Sequence, residues 1–154
     1  MADITIGVLS DTHARSLTEI PAKTLDALSR VDLIVHAGDF VTRDVLDGLR
    51  RLGEVKAVRG NMDSLQLGQM LPQKELVLVG RKKIGVTHGS GSPFGLAKRV
   101  GRMFEDVDAI IYGHSHVAQN KVIDGVLFFN PGSGRRSFGL LIVGKDIRGK
   151  IIKL

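Results

Sequence analysis

The segment Ala109-Ile110-Ile111-Tyr112-Gly113-His114-Ser115-His116 joins a short apolar run to two imidazoles set two positions apart. Ala109–Tyr112 reads as a buried strand, and Gly113 ends it. Neutral imidazole is the commonest protein metal ligand, and a His-x-His pair at a strand end aims two of them at one place. Two histidines in a surface loop would look the same. The pair gains meaning because other ligand types stand at the ends of other predicted strands.

Outward from this segment, the strand Ile4–Leu9, with Gly7 marking a close backbone approach, is followed by Ser10-Asp11-Thr12-His13. A second strand, Leu33–Val35, ends in His36-Ala37-Gly38-Asp39, and a third, Val55–Val58, leads into Arg59-Gly60-Asn61-Met62-Asp63. Glu75–Val79 and Lys83–Thr87 read as a hairpin about Gly80-Arg81, the second arm ending in His88-Gly89. Helices are expected over Glu19–Arg30, with Pro21 near the first turn, over Thr42–Leu52, stopped by Gly53, and over Pro93–Phe104. Ser64–Gln73 has no clean period and reads as loop. The remaining third changes character: Lys121–Ile123 and Val126–Phe129 flank an Asp124-Gly125 turn, and Leu140–Val143 and Lys150–Lys153 are two further strands. Strand–helix alternation followed by antiparallel strands predicts an α/β protein with two sheets rather than one parallel sheet. No repeat or low-complexity linker divides the chain, so one domain over residues 1–154 is expected.

Composition narrows the function classes. Without cysteine there is no disulfide and no thiolate metal site, so any metal must be held by nitrogen and oxygen. No apolar run approaches the ~18 residues that span a bilayer. Met1-Ala2-Asp3 lacks a basic n-region and Ile4–Leu9 is too short for an h-region, which makes the cytoplasm the expected location. A net charge of +6 and a pI near 9.9 invite a nucleic-acid reading. The basic pairs are scattered, however, and one Tyr with no Trp offers little stacking. A small anionic substrate is the preferred reading; nucleic acid bound through the basic surface is a rival that is not indicated, and steep salt dependence would be its mark.

Seven candidate donors close five strands: Asp11 and His13, Asp39, Asn61, His88, then His114 and His116. In open α/β sheets, sites form at the carboxyl ends of strands. A catalytic zinc takes about three protein ligands plus water, so this set suits two ions sharing a bridging carboxylate, with Asp39 as the natural bridge. Such a pair lowers the pKa of a bound water and clamps the attacking and leaving oxygens of an in-line displacement at phosphorus. The Asn61 amide oxygen can ligate a metal while its NH2 donates to a phosphate oxygen. Blander roles exist: Asp39 as a helix cap, Asn61 as a left-handed turn residue, Asp63 as a turn residue or outer partner, and His36 as structural support. Gly89-Ser90-Gly91-Ser92-Pro93-Phe94-Gly95 imitates a dinucleotide fingerprint, but its third glycine falls one residue late, and a nucleotide cofactor is rejected. Arg135 and Arg136, just after the Asn130-Pro131-Gly132-Ser133 turn, are placed to reach a substrate phosphate or simply solvent.

Taken in order, Asp11-x-His13, Gly38-Asp39, Gly60-Asn61-x-Asp63, His88-Gly89 and Gly113-His114-Ser115-His116 resemble the calcineurin-like metallophosphoesterases, in their small bacterial and archaeal phosphodiesterase branch. The resemblance covers essentially the full length. It implies two packed mixed β-sheets, a β-sandwich flanked by helices. It implies two divalent transition-metal ions, manganese first, with iron, zinc or nickel as alternatives that imidazole and carboxylate ligands do not separate. One ion would be held by Asp11, His13, Asp39 and His116, the other by Asp39, Asn61, His88 and His114. The implied activity is hydrolysis of a small phosphodiester, or another phosphorylated substrate, through a metal-bridging hydroxide. Asp39, Asn61 and His88 would be catalytic, with Asn61 and Arg135 toward the substrate. A phosphomonoesterase and a non-catalytic scaffold like the retromer subunit of this fold are the rivals; relatives often associate, so a homo-oligomer is open. Many relatives carry a histidine after the asparagine that helps protonate the leaving group. This chain, like much of the small branch, does not: Met62 stands there and cannot donate a proton, so good leaving groups are expected to be favoured.

Overall fold

The computed structural model describes residues 2–154; Met1, the first residue of the segment weighed as a leader, lies outside the described residues. Among the described residues, ten strands form two five-stranded sheets. The first contains β1 (Ile4–Leu9), β2 (Leu33–His36), β3 (Val55–Ala57), β9 (Ser137–Val143) and β10 (Ile147–Lys153), in the order β10-β9-β1-β2-β3. The second contains β4 (Lys74–Val79), β5 (Lys82–Thr87), β6 (Ala109–Ile111), β7 (Gln119–Ile123) and β8 (Val126–Asn130), in the order β4-β5-β6-β8-β7. Four helices, α1 (Ala22–Leu28), α2 (Arg43–Leu52), α3 (Leu65–Met70) and α4 (Leu96–Gly101), complete the two-sheet α/β architecture expected from the sequence.

The core follows from strand alternation. Ile6, Val8 and Val35 of the first sheet meet Val77, Ile84, Val86, Ile111 and Phe129 of the second between the layers. Leu9 and Ile34 point the other way, under Leu28 of α1 and Val45, Leu46 and Leu49 of α2. On the far face of the second sheet, Leu96 and Val100 of α4 cover Ile110, Tyr112 and Phe128. Strands covered on both faces must be apolar throughout, which is why β1, β2 and β6 read as continuous hydrophobic runs. Gly7 makes the close approach its sequence suggested: a Cβ there would overlap Leu28 of α1.

The sequence reading needs three corrections. Ser64–Gln73 is not all loop, because the Ser64 hydroxyl accepts from Leu67 N at 3.3 Å and starts α3. Only Leu67 of that short helix is buried, so no period shows. The helix expected over Glu19–Arg30 is two pieces, a 3-10 turn at Leu17–Glu19 and then α1. Pro21 separates them by holding Ile20 extended, at φ −85° and ψ 131°. The helix expected over Pro93–Phe104 contracts to α4, entered through Gly95 in the left-handed region at φ +71°.

β1, β2 and β3 run parallel, as do β5, β6 and β8. The segments leaving β1, β2, β3, β5 and β6 meet: Asp11 N donates to Gly38 O, His13 N to Asp39 O, Asp39 N to Asp63 Oδ2, His88 Nδ1 to Ala37 O, and Gly113 N to His88 O. No helix of the described residues is long and apolar enough to cross a membrane.

Candidate metal centre

Five of the donor residues have left-handed backbone: Asp11 (φ 53°), His13 (45°), Asp39 (64°), His114 (72°) and His116 (62°). Non-glycine residues adopt this region rarely, and each instance costs about 1–3 kcal/mol that the surroundings must offset. Strain concentrated on one set of side chains at strand ends marks a place where orientation is held against local preference. Asn61 is not in this region, which removes the left-handed-turn reading of it.

The side chains converge. Asp11 Oδ1 lies 3.3 Å from His116 Nε2, 3.7 Å from His88 Nε2 and 3.9 Å from His13 Nε2. Asp39 Oδ2 lies 3.3 Å from His88 Nε2 and 3.7 Å from His13 Nε2. Asn61 Oδ1 stands 3.1 Å from His88 Nε2. Two overlapping donor triads result, Asp11–His13–His116 and Asp11–Asp39–His88, each compact enough for one ion. His114 stands beside them, its ring edge-on to His88 at 5.2 Å and its Nε2 donating to Gly91 O at 2.8 Å, which leaves Nδ1 as its free nitrogen.

The residues fit a cation. Asp11 Oδ1 and His13 Nε2 are both buried without a hydrogen-bond partner, a costly arrangement unless something positive lies between them. His88 Nδ1 donates to Ala37 O at 2.8 Å, which turns Nε2 toward three oxygens, where it holds a proton or, in exchange for it, a metal. A donated N–H behind a ligating imidazole fixes its tautomer and raises its basicity. Burial pushes His88 down, but its bond to Asp39 and the charge of Asp11 carry it above the ordinary histidine range. Burial likewise pushes the Asp39 carboxyl up, yet the bond to His88 and Met62 N–H hold it net below the usual carboxylate range.

A surrounding layer fixes this geometry. Ser10 Oγ donates to Asp11 Oδ2 at 2.6 Å and His114 N donates to the same oxygen at 3.1 Å. Met62 N donates to Asp39 Oδ1 at 2.7 Å, so that carboxylate belongs to the site and does not cap α2. Asp63 accepts from the backbone N–H groups of Gly60, Val41 and Asp39, pinning the Asn61 loop to the Asp39 loop. His36 is wholly buried; burial, reinforced by the charge of His88, pushes it down to about 3. It therefore stays neutral, with Nδ1 accepting from Gly38 N and Nε2 donating to Thr12 Oγ1. Gly38, at φ +99°, leaves no room for a Cβ, which would sit 2.9 Å from His88 Nδ1.

Two residues carry structural work that sequence reasoning did not assign. The buried Asn130 amide donates to Gly113 O at 3.1 Å and accepts from Gly132 N at 2.9 Å, tying β8 to the His114 turn. Its signal was visible: an asparagine closing an apolar strand, as at Asn61. Arg135 reaches inward, donating to His13 O at 2.8 Å and Thr12 O at 3.3 Å and pairing with Glu19. Its guanidinium braces the loop that carries Asp11 and His13.

Two buried carboxylates and four imidazoles gathered at parallel strand ends of a two-sheet α/β sandwich form a candidate centre for divalent metal. Residues 4–140 match the model of the calcineurin-like phosphoesterase superfamily domain, and the chain belongs to that superfamily. A probable metallophosphoesterase of Methanocaldococcus jannaschii is 41% identical over 137 residues, covering 83% of this chain and 67% of the relative. The solved structure described as a novel archaeal phosphodiesterase superposes with TM-score 0.76 at 26% identity, over 97% of this chain and 100% of that one. Vacuolar protein sorting 29 of Entamoeba histolytica, solved with zinc, superposes with TM-score 0.74 at 28% identity, over 97% and 99% of the two chains.

Proposed function

We propose that this phosphoesterase is a phosphodiesterase that works with two divalent transition-metal ions, manganese first among them, on a small phosphodiester. The observation that carries the reading is a pair of carboxylates that each reach imidazole nitrogens on both sides of the site: Asp39 Oδ2 lies 3.7 Å from His13 and 3.3 Å from His88, and Asp11 Oδ1 lies 3.9 Å and 3.7 Å from the same nitrogens; the resemblance assigns the bridge to Asp39. A carboxylate shared in this way is what a pair of adjacent ions needs. Asp11, His13, Asp39 and His116 would hold one ion, and Asp39, Asn61, His88 and His114 the other. When bound, the ions supply a water of lowered pKa and Lewis-acid polarisation of the phosphoryl oxygens.

The chain's own residues do the rest. Asp39, placed by Met62 N–H, sets the spacing between the two halves of the site. His88, its Nδ1–H tied to Ala37 O, presents a fixed Nε2 to the second half. The Asn61 amide NH2 is free to donate to a phosphoryl oxygen while its oxygen faces the centre. Arg135 serves the substrate indirectly, by bracing the Asp11–His13 loop.

The test is turnover of bis(p-nitrophenyl) phosphate by metal-stripped protein with and without added manganese. Manganese-dependent diester hydrolysis that exceeds hydrolysis of p-nitrophenyl phosphate is expected. Faster monoester hydrolysis would make the enzyme a phosphomonoesterase. The Entamoeba relative is named for protein sorting, and an interaction role would replace catalysis if folded, metal-loaded protein turned over neither ester.

The leaving group supplies a second test. Met62 is exposed beside Asn61 and has no proton to give. Alkyl phosphodiesters, which need a general acid, should be turned over far more slowly than aryl ones. Met62→His should raise alkyl-ester kcat by about 10–100-fold, up to the lower end of the about 10²–10⁴-fold that a well-positioned general acid contributes, and leave aryl esters nearly unchanged. An equal effect on both ester types, or none on the alkyl ester, would refute this account.

A further inference from the structure

His116 faces more than the metal centre. It also lines an open cleft of about 440 Å³, bounded by the turn between β8 and β9 and by the end of β10. The charged side chains lining this cleft are Arg135, Arg136 and Lys153, with no carboxylate side chain among them. Arg135 is committed to the Thr12 and His13 carbonyls and to Glu19. Arg136 and Lys153 are exposed, and among the described residues neither has a carboxylate within ion-pair distance.

The fold brings together the two backbone segments that carry these cations. Lys153 pairs with Ser137 across the β9–β10 ladder, next to Arg136 in sequence. Leu154 N donates to Arg136 O at 2.9 Å, which fastens the strand end to the turn. Ile151 and Lys153 share one face of β10, and Ile151 packs against the core between the sheets. Lys153 thus extends from the end of the interlayer face into solvent. Cationic side chains gathered around one cleft, with no ion pair made by two of them, raise the local potential there. Arginine offers a fork for phosphate oxygens and lysine a point charge.

We propose that this cleft is a second anion subsite. It takes a phosphate group carried on one ester arm of a substrate whose scissile phosphorus lies at the metal centre, with His116 between the two positions. The proposal rests on the phosphodiesterase reading for what is cleaved, and adds that preferred substrates bear a second phosphate.

Binding can be read without turnover by titrating manganese-loaded protein with α,ω-alkane diphosphonates of increasing chain length, and with the matching monophosphonates, in a calorimeter. Their P–C bonds resist hydrolysis, and the ladder scans the distance between the two sites. One diphosphonate should bind at least about tenfold more tightly than its monophosphonate, a modest gain for two-point attachment. The double variant Arg136→Ala/Lys153→Ala should erase that gain and leave monophosphonate affinity within about twofold. No gain for any chain length, or a gain that survives in the variant, overturns the subsite. Hydrolysis of bis(p-nitrophenyl) phosphate by the unaltered protein judges the activity separately. A protein that binds the diphosphonate in the cleft but hydrolyses no diester loses the activity and keeps the subsite; the reverse result does the opposite.

Discussion

Asp39→Asn is expected to lower kcat for bis(p-nitrophenyl) phosphate by at least about a hundredfold, since loss of even a partner outside the ligand shell costs about 10–100-fold. The fold should survive. Asparagine tolerates left-handed backbone better than most residues, so φ +64° at position 39 imposes no new strain. Its amide oxygen can still accept from Met62 N, and its own backbone N–H still donates to Asp63. What changes is the atom facing His88 and His13: an anionic oxygen becomes an amide NH2, with no charge to share between two ions. Kinetics on the metal-loaded variant, with far-UV circular dichroism and a melting curve beside them, would separate lost chemistry from lost structure. A variant as active as the parent would sink the bridging role. A variant that fails to fold would instead place Asp39 among the residues that build the loop.

Much of this site was legible in the sequence because chain direction did the work. Parallel strands place their carboxyl ends together, so punctuation repeated after β1, β2, β3, β5 and β6 marked a common location before any contact was known. The candidate donors were legible for the same reason: Asp11, Asp39, His88 and His116 follow those ends and converge in space. What was illegible depends on backbone angles and on partners distant in sequence. Nothing in Asp11-Thr12-His13 announces left-handed φ at two of three positions. The inward turn of Arg135 onto the His13 carbonyl links residues more than a hundred positions apart, and an Arg-Arg pair after a turn looks equally suited to solvent. α3 was missed on different grounds. A helix of six residues that buries one side chain carries too little periodicity to be seen, and only its Ser64 cap was informative.

Metal binding should be visible in stability as well as in rate. Ions that bind only the folded chain stabilise it by about 2.7 kcal/mol at a free concentration a hundredfold above Kd. For a chain of this size, each kcal/mol moves Tm by about 2–4 °C, so a rise of about 5–10 °C is expected on adding metal, reversed by chelator. Two physical features favour the effect here. Asp11 Oδ1 and His13 Nε2 are buried without partners, so their desolvation is uncompensated until a cation arrives. The carboxylates of Asp11 and Asp39 are also brought near one another around His88, and positive charge relieves their repulsion. Zinc and nickel should act at lower free concentration than manganese, following the general order of divalent affinities. The sign with pH follows from His88: its proton is held more tightly than that of a free histidine, and a metal must displace it. The rise in Tm should therefore shrink as pH falls below neutrality. Elemental analysis after dialysis should find two ions per chain, falling to one in His13→Ala while the site about Asp39, Asn61 and His88 keeps its own. A melting curve indifferent to manganese, iron, zinc and nickel would mean that the gathered donors do not bind metal, and loss of both ions in His13→Ala would mean that the two halves of the site are not separable.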